Sequence, residues 1–298
     1  MRNTLLFVLL FLSTYTLFAQ NTIIKIQVLD DENKSPIPYA TVVEYNSKTN
    51  GTITDEEGFF ELKIKILEES QIYISSVGYK DTIISAAIAL DLERILLKPD
   101  INNLGSFIIK ATATETTELG NSKAIINEKN NYQASLGFYW GVYFNTKKKE
   151  IGGILDKVNI YINKMGFPET PLLMRVFEFT GEFEFFRSQP KYLFKELTRE
   201  PIIMRNNNFG WNELDVSHLN ITVPSSGLYV LFTPVGTDEE YQYETISGLK
   251  FGSTIGIYSD NKDSKRIFPV LQDRDRISVM KKSRAPTPAV SIIISNTN

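Results

Sequence analysis

Hydrophobic and polar positions alternate along most of this chain, and the alternation has the period of a strand. Ile24, Ile26 and Val28 alternate with Lys25 and Gln27. Phe60, Leu62, Ile64 and Ile66 alternate with Phe59, Glu61, Lys63 and Lys65. A period of two predicts half-buried strands. Phe59 then falls on the charged face, either exposed or covered by a second surface. Further strands are predicted over residues 40–45, 71–76 and 92–97. Pro36 and Pro38 lack donors, which suits a strand start or an edge. Between these runs, residues 50–60 read as a β-hairpin. Asp55 and Gly58 take the first and fourth positions of its turn, where Asp bonds back to the backbone and Gly accepts a positive φ. Short strands about ten residues apart, with turn signals between them, predict an all-β sandwich.

Residues 99–131 are polar and predict a linker holding one strand, over residues 107–111. From residue 132 to 298 the strand pattern returns. Residues 138–144 are strongly aromatic. Val158, Ile160 and Ile162 alternate with Asn159, Tyr161 and Asn163. Residues 172–177 are apolar on both sides, so both faces are expected to be covered. Residues 210–216, 221–223, 227–232 and 289–295 complete the set, with Pro286 and Pro288 before the last strand. The prediction is a second, larger antiparallel β-sandwich.

Three motifs recur in a fixed order over the first hundred residues. They are Pro36-Ile37-Pro38-Tyr39-Ala40-Thr41-Val42, then Gly51-Thr52-x-Thr54-Asp55-x-x-Gly58-x-Phe60-x-Leu62, then Ile74-Ser75-Ser76-Val77-Gly78-Tyr79. On these residues the segment 20–98 resembles the carboxypeptidase-regulatory-like module. That resemblance implies a seven-stranded, prealbumin-like β-sandwich in which Gly51, Asp55, Gly58, Phe60, Gly78 and Tyr79 are structural. The module is often found at the start of exported gram-negative proteins, including outer-membrane receptors. The stretch that follows here is too short for a receptor barrel of about 22 strands. Residues 157–229 resemble the β-domain that follows the module in some exported proteins, and are similar to jelly-roll or galactose-binding-like sandwiches.

The first nineteen residues read as a leader. Arg2 precedes an apolar run, and the small Ala19 fits a cleavage site. The apolar core is shorter than the span of about 20 residues a membrane needs, so no transmembrane segment is expected after cleavage. The expected location is periplasmic, outer-membrane-associated or secreted. With no cysteine, the chain is not a lipoprotein and holds no disulfide. The formal charge of −3 offers no concentrated basic surface for nucleic acid.

Catalytic chemistry has few footholds. A zinc peptidase needs several imidazole or carboxylate ligands, and the chain has one histidine, His218. A triad of Asp215, Ser217 and His218 lacks a nucleophile elbow and is only a sequence neighbourhood. Carboxylate pairs for a glycoside hydrolase, such as Glu178 with Glu182 or Glu184, or Glu239 with Glu240, cannot be selected by spacing. No cofactor is expected; the calcium candidate, residues 260–263, breaks the EF-hand pattern. Asp81-Thr82-Ile83 is similar to a short O-glycosylation signal at Thr82. The expectation is a non-enzymatic binding or assembly module whose partner is a protein or glycan of the cell envelope. The alternative is a carbohydrate-binding accessory protein. Trp211, Tyr241 and Tyr243 are then the candidate contacts, since aromatic rings supply flat apolar faces. Trp211 is also expected as a core residue or sheet-edge anchor.

Overall fold

The structure is a computed structural model. It describes residues 22–45, 47, 50–100, 115–135, 138–182, 188–205, 207–235, 243–244, 250–259, 266–280 and 286–296. The leader, the strand expected over 107–111, and the 260–263 cluster lie outside these residues.

The N-terminal unit has seven strands: β1 (Thr22–Asp30), β2 (Thr41–Glu44), β3 (Gly51–Ile53), β4 (Phe59–Ile64), β5 (Gln71–Ser75), β6 (Thr82–Ser85) and β7 (Arg94–Leu97). A short helix, α1 (Ala86–Leu90), joins the last two. The strands form two sheets, ordered β4-β1-β7 and β3-β2-β5-β6. Ile24, Ile26, Val28, Phe60, Leu62 and Ile64 from one sheet meet Val42, Ile72 and Ile74 from the other in a common core. Strand alternation thus does what the sequence predicts. Phe59 is on the outer face and 38% exposed, and β4 ends at Ile64, leaving Ile66 exposed.

The 50–60 segment does not form the expected hairpin ladder. β3 pairs with β2, and β4 pairs with β1, so the turn is a corner between two sheets. Its local chemistry is as predicted. Asp55 Oδ1 accepts from the Phe59 amide at 2.7 Å, Gly58 donates to the Asp55 carbonyl at 3.1 Å, and Gly58 sits at φ +78°. The divergence comes from Thr54, which is fully buried. Its hydroxyl accepts from the Ala40 amide at 2.8 Å and donates to the Ile37 carbonyl at 2.7 Å. These bonds hold β3 beside β2. Beyond the corner, the Val28 amide donates to the Gly58 carbonyl and draws the chain to β1. Tyr79 closes the other end of this unit, donating to Asp30 Oδ2 at 2.8 Å.

The second unit contains β8 (Glu115–Leu119), β9 (Ile126–Ser135), β10 (Tyr139–Phe144), β11 (Ile154–Asn163), β12 (Leu172–Phe179), β13 (Ser188–Pro190), β14 (Phe194–Glu196) and β15 (Ile202–Met204). It continues with β16 (Gly210–Asp215), β17 (Leu228–Pro234), β18 (Tyr243–Glu244), β19 (Lys250–Tyr258), β20 (Ile267–Asp273), β21 (Arg276–Val279) and β22 (Val290–Asn296). One sheet runs β13-β21-β20-β10-β17-β12-β14, with β15 also on β12. The other runs β18-β19-β11-β22-β8, with β16 on β11 and β9 on β19. Val142, Phe144, Met174, Val176, Val230 and Phe232 of the first sheet pack on Val158, Ile160, Ile162, Ile255, Ile292 and Ile294 of the second. Paired structure begins at Glu115, inside the stretch expected as a linker. β8 buries only Leu119, so the apolar alternation that flags a strand is missing there.

Candidate functional site

The two sandwiches share a buried, charged seam. Strand alternation sends Val42, Ile72 and Ile74 inward, which leaves Thr41, Val43, Tyr73 and Ser75 on the opposite face of their sheet. That face meets the outer side of β12 and β10. Ile53 packs with Leu173 and Val235, and Val43 and Tyr73 pack with Phe138. Thr41 and Tyr139 share a hydroxyl hydrogen bond of 2.6 Å. In the middle lies Arg175, 1% exposed. Its guanidinium donates to both Glu196 oxygens, at 2.7 and 2.5 Å, and to Ser75 Oγ at 3.1 Å. It also stands over the Tyr139 and Phe177 rings. Lys191 is buried beside it, donating to Ser75 Oγ at 2.6 Å and to Asp81 Oδ1 at 2.7 Å. Tyr73 donates to the other Asp81 oxygen at 2.7 Å.

Burial pushes the Asp81 carboxyl up, but the charge and hydrogen bond of Lys191 outweigh it, leaving Asp81 below its ordinary value. Burial pulls Lys191 below its own. Burial and the Asp81 carboxylate raise the Tyr73 phenol. The Asp-Thr-Ile triplet that resembles a modification signal therefore spends its Asp on the interdomain ion pair. No sequence motif marked Arg175, Glu196 or Lys191. The signal that was available is a lone arginine in the otherwise apolar run Leu172–Phe177.

The opposite side of the second sandwich carries the aromatic residues of interest. Because Val158, Ile160 and Ile162 face the core, Asn159, Tyr161 and Asn163 lie on the other face of the sheet, where Asn159 and Asn163 are themselves buried and Tyr161 is partly buried. Antiparallel pairing of β11 with β16 sets Tyr161 directly beside Trp211. Their rings meet edge to face, 5.6 Å apart at 83°. Tyr258 lies 6.1 Å from Trp211. Gly256 makes room for this packing: a Cβ there would lie 2.6 Å from Tyr161 Cδ1. Phe209 and Met165 flank the paired ends of β16 and β11 and are 59% and 54% exposed. Asn212 braces the turn before Trp211, with its amide bonded to the Asn208 backbone. The rim is charged but paired. Lys157 meets Glu213 at 2.7 Å, and Lys164 meets Glu128 at 2.6 Å. The Tyr161 hydroxyl donates to Glu128 at 3.2 Å.

Of the two places expected for Trp211, core or sheet edge, it takes the second: it is partly buried on β16, which branches from the sheet path at β11, and packs against the core. Tyr241 lies outside the described residues. Tyr243 is placed by its backbone, opposite Phe251. Tyr139, Tyr143 and Tyr229 are buried. Around His218, Asp215 Oδ1 accepts from the Ser217 amide and hydroxyl at 2.9 and 2.7 Å, so the carboxylate is bonded to the serine rather than orienting an imidazole. Glu178 is paired with Lys195. Gly78 takes a φ of +80°, and Gly51 opens β3. Among the described residues, no cluster of three acidic or imidazole side chains could hold a metal ion. No described helix is long and apolar enough to cross a membrane.

The three-motif segment has a named counterpart. Residues 24–109 match the CarboxypepD_reg-like domain family. The N-terminal sandwich is a CarboxypepD_reg-like domain, and the second sandwich lies beyond the match. No curated protein matches the chain. Solved structures with partial likeness include the cysteine protease and lectin-like domains of Cwp84, a surface-layer-associated protein of Clostridium difficile. That likeness has 8% identity and a TM-score of 0.36, covering 93% of this chain and 64% of that one. A structure of carbohydrate-binding modules from the β-sandwich superfamily has 9% identity and a TM-score of 0.21, covering 88% and 98%. Infectious bursal disease virus Gx strain has 9% identity and a TM-score of 0.24, covering 93% and 64%. None of these scores carries a ligand over to this chain.

Proposed function

We propose that this chain is an exported, non-catalytic binding or assembly module of the cell envelope. The CarboxypepD_reg-like domain serves as a fixed mount, and the second sandwich presents the recognition face. One observation carries the reading: Phe209 and Met165 stand 59% and 54% exposed at the paired ends of β16 and β11, next to the partly buried rings of Trp211 and Tyr161. Aromatic surface left in water on one sheet face marks a place where a partner or ligand removes it from water. The direct Asp215–Ser217 bonds and the Glu178–Lys195 pair support a role without catalysis. Export rests on the leader-like residues 1–19 and on the frequent occurrence of regulatory-like domains in exported proteins. The reading needs no cofactor, calcium included.

Retention of the purified chain on immobilised cell-envelope fractions tests this. Phe209→Ser with Met165→Ser, at the two exposed side chains, should abolish retention while leaving the thermal melt close to that of the parent. Equal retention by the double variant, or hydrolase activity abolished by one carboxylate substitution, would overturn it.

A further inference from the structure

We propose that the outer edge of β16 takes up an extended, basic segment of a protein partner as an added strand, an inference that rests on the second sandwich being the recognition face. Register is the first reason. β16 pairs with β11 alone, from Gly210 opposite Ile162 to Asp215 opposite Lys157. One step further along the same register, the Val216 amide donates to the Asp156 carbonyl at 2.8 Å. The Tyr161 amide goes the other way, to the Ala289 carbonyl. In an antiparallel ladder every second residue turns both of its backbone groups toward a given neighbour. Gly210, Asn212 and Leu214 therefore bond β11, while Trp211, Glu213 and Asp215 turn their amides and carbonyls to the outer edge. Among the described residues, no strand pairs with that edge.

The side chains of the strand select the partner. β16 carries neither lysine nor proline, the residues that commonly blunt an edge against pairing. A second copy is a poor fit. If β16 met its own copy antiparallel over its full length, Glu213 would stand opposite Glu213, and like charges directly opposite are unfavourable. Glu213 and Asp215 are exposed. The cation beside them is Lys157, 2.7 Å from Glu213. The Glu213 hydrogen bond, with the charges of Glu213, Asp215 and Asp156, raises the Lys157 amine above its ordinary value. One cation among three carboxylates leaves negative charge for lysine or arginine side chains at alternate positions of an incoming strand. At the other end of β16, the exposed Phe209 and Met165 offer contact to an apolar side chain. In strand addition the main-chain bonds supply affinity, and alternate side chains supply selectivity.

The experiment titrates the isotope-labelled chain with blocked peptides of alternating valine and threonine, in which two successive threonines are replaced by lysine or by glutamate. Amide hydrogen exchange is read by NMR. In the free chain the Trp211, Glu213 and Asp215 amides should exchange fast, and those of Asn212 and Leu214 slowly. The lysine peptide should protect the first three, and bind about tenfold or more tighter than the glutamate peptide. Glu213→Lys with Asp215→Lys should reverse that preference. Glu213→Pro removes an amide aimed at the partner and none aimed at β11, so it should abolish binding. Should that variant fail to fold, the charge reversal decides. No protection by the lysine peptide, or equal affinity for the two peptides, would overturn the proposal. So would a dimer in sedimentation that Glu213→Pro disperses, because the edge then serves a second copy. If the peptides fail while envelope retention still depends on Phe209 and Met165, strand addition is wrong and the recognition face stands. If the peptides fail and retention is also indifferent to those two residues, both fall.

Discussion

Arg175 sits between two sandwiches with its guanidinium out of water, so its charge survives only through Glu196 and Ser75. Removing one partner of a buried ion pair leaves an uncompensated charge and costs about 3–5 kcal/mol. Arg175→Met should therefore lower the unfolding free energy by about that amount in urea titrations, and Arg175→Met with Glu196→Met should recover much of it, because neither charge is then stranded. Asp81 gives the pH dependence. Its folded carboxyl lies below the ordinary value, so the stability it contributes is present above the unfolded pKa of about 3.9 and is lost as pH falls through the folded one. Lys191 acts in the opposite sense at the other end of the scale. Its lowered value means that charging it costs stability, and the cost is relieved as pH rises toward about 10.4. The melting temperature should drop on acidification below about pH 4, and Asp81→Asn should flatten that drop in scanning calorimetry.

At the scale of elements, the corner between β3 and β4 separates local from long-range information. The Asp55–Gly58 turn is written in four residues, and it forms as written. Which strand each arm pairs with depends on Thr54 reaching Ile37 and Ala40, which are some 15 positions away. Thr54→Val leaves the Ala40 amide and Ile37 carbonyl without their partner and should cost about 1–3 kcal/mol in denaturant titrations. Gly58→Ala should cost a similar amount, about 1–3 kcal/mol. At φ +78° the new Cβ would also lie 2.6 Å from the Val28 carbonyl oxygen. The aromatic corner follows the same division. Trp211 is a visible candidate in the sequence, and Tyr161 is visible only as one member of an alternating strand. Their partnership is set by the β11–β16 register, a pairing across fifty residues that alternation cannot specify.

For the whole molecule, the seam packs the two sandwiches against each other through buried side chains of both. The CarboxypepD_reg-like domain is a small β-sandwich without disulfides, a size at which a single core is marginal. Ile53, Val43 and Tyr73 find their cover on the neighbouring unit. Scanning calorimetry should accordingly show one cooperative transition for the native chain. Arg175→Met should split it into two, with the N-terminal sandwich melting first.

The sequence by itself determined the strands, the turns and the family of the first sandwich, because each is encoded within a few neighbouring residues by alternation and turn chemistry. It also marked the run 172–177 as covered on both faces. Tertiary structure alone decided what covers it, since Arg175, Lys191 and Asp81 come from three separate segments and meet only when two sheets stack. It likewise decided that Trp211 faces outward beside Tyr161. The physical reason is common to both: strand period fixes which side a residue faces, while sheet order and register fix what stands beside it.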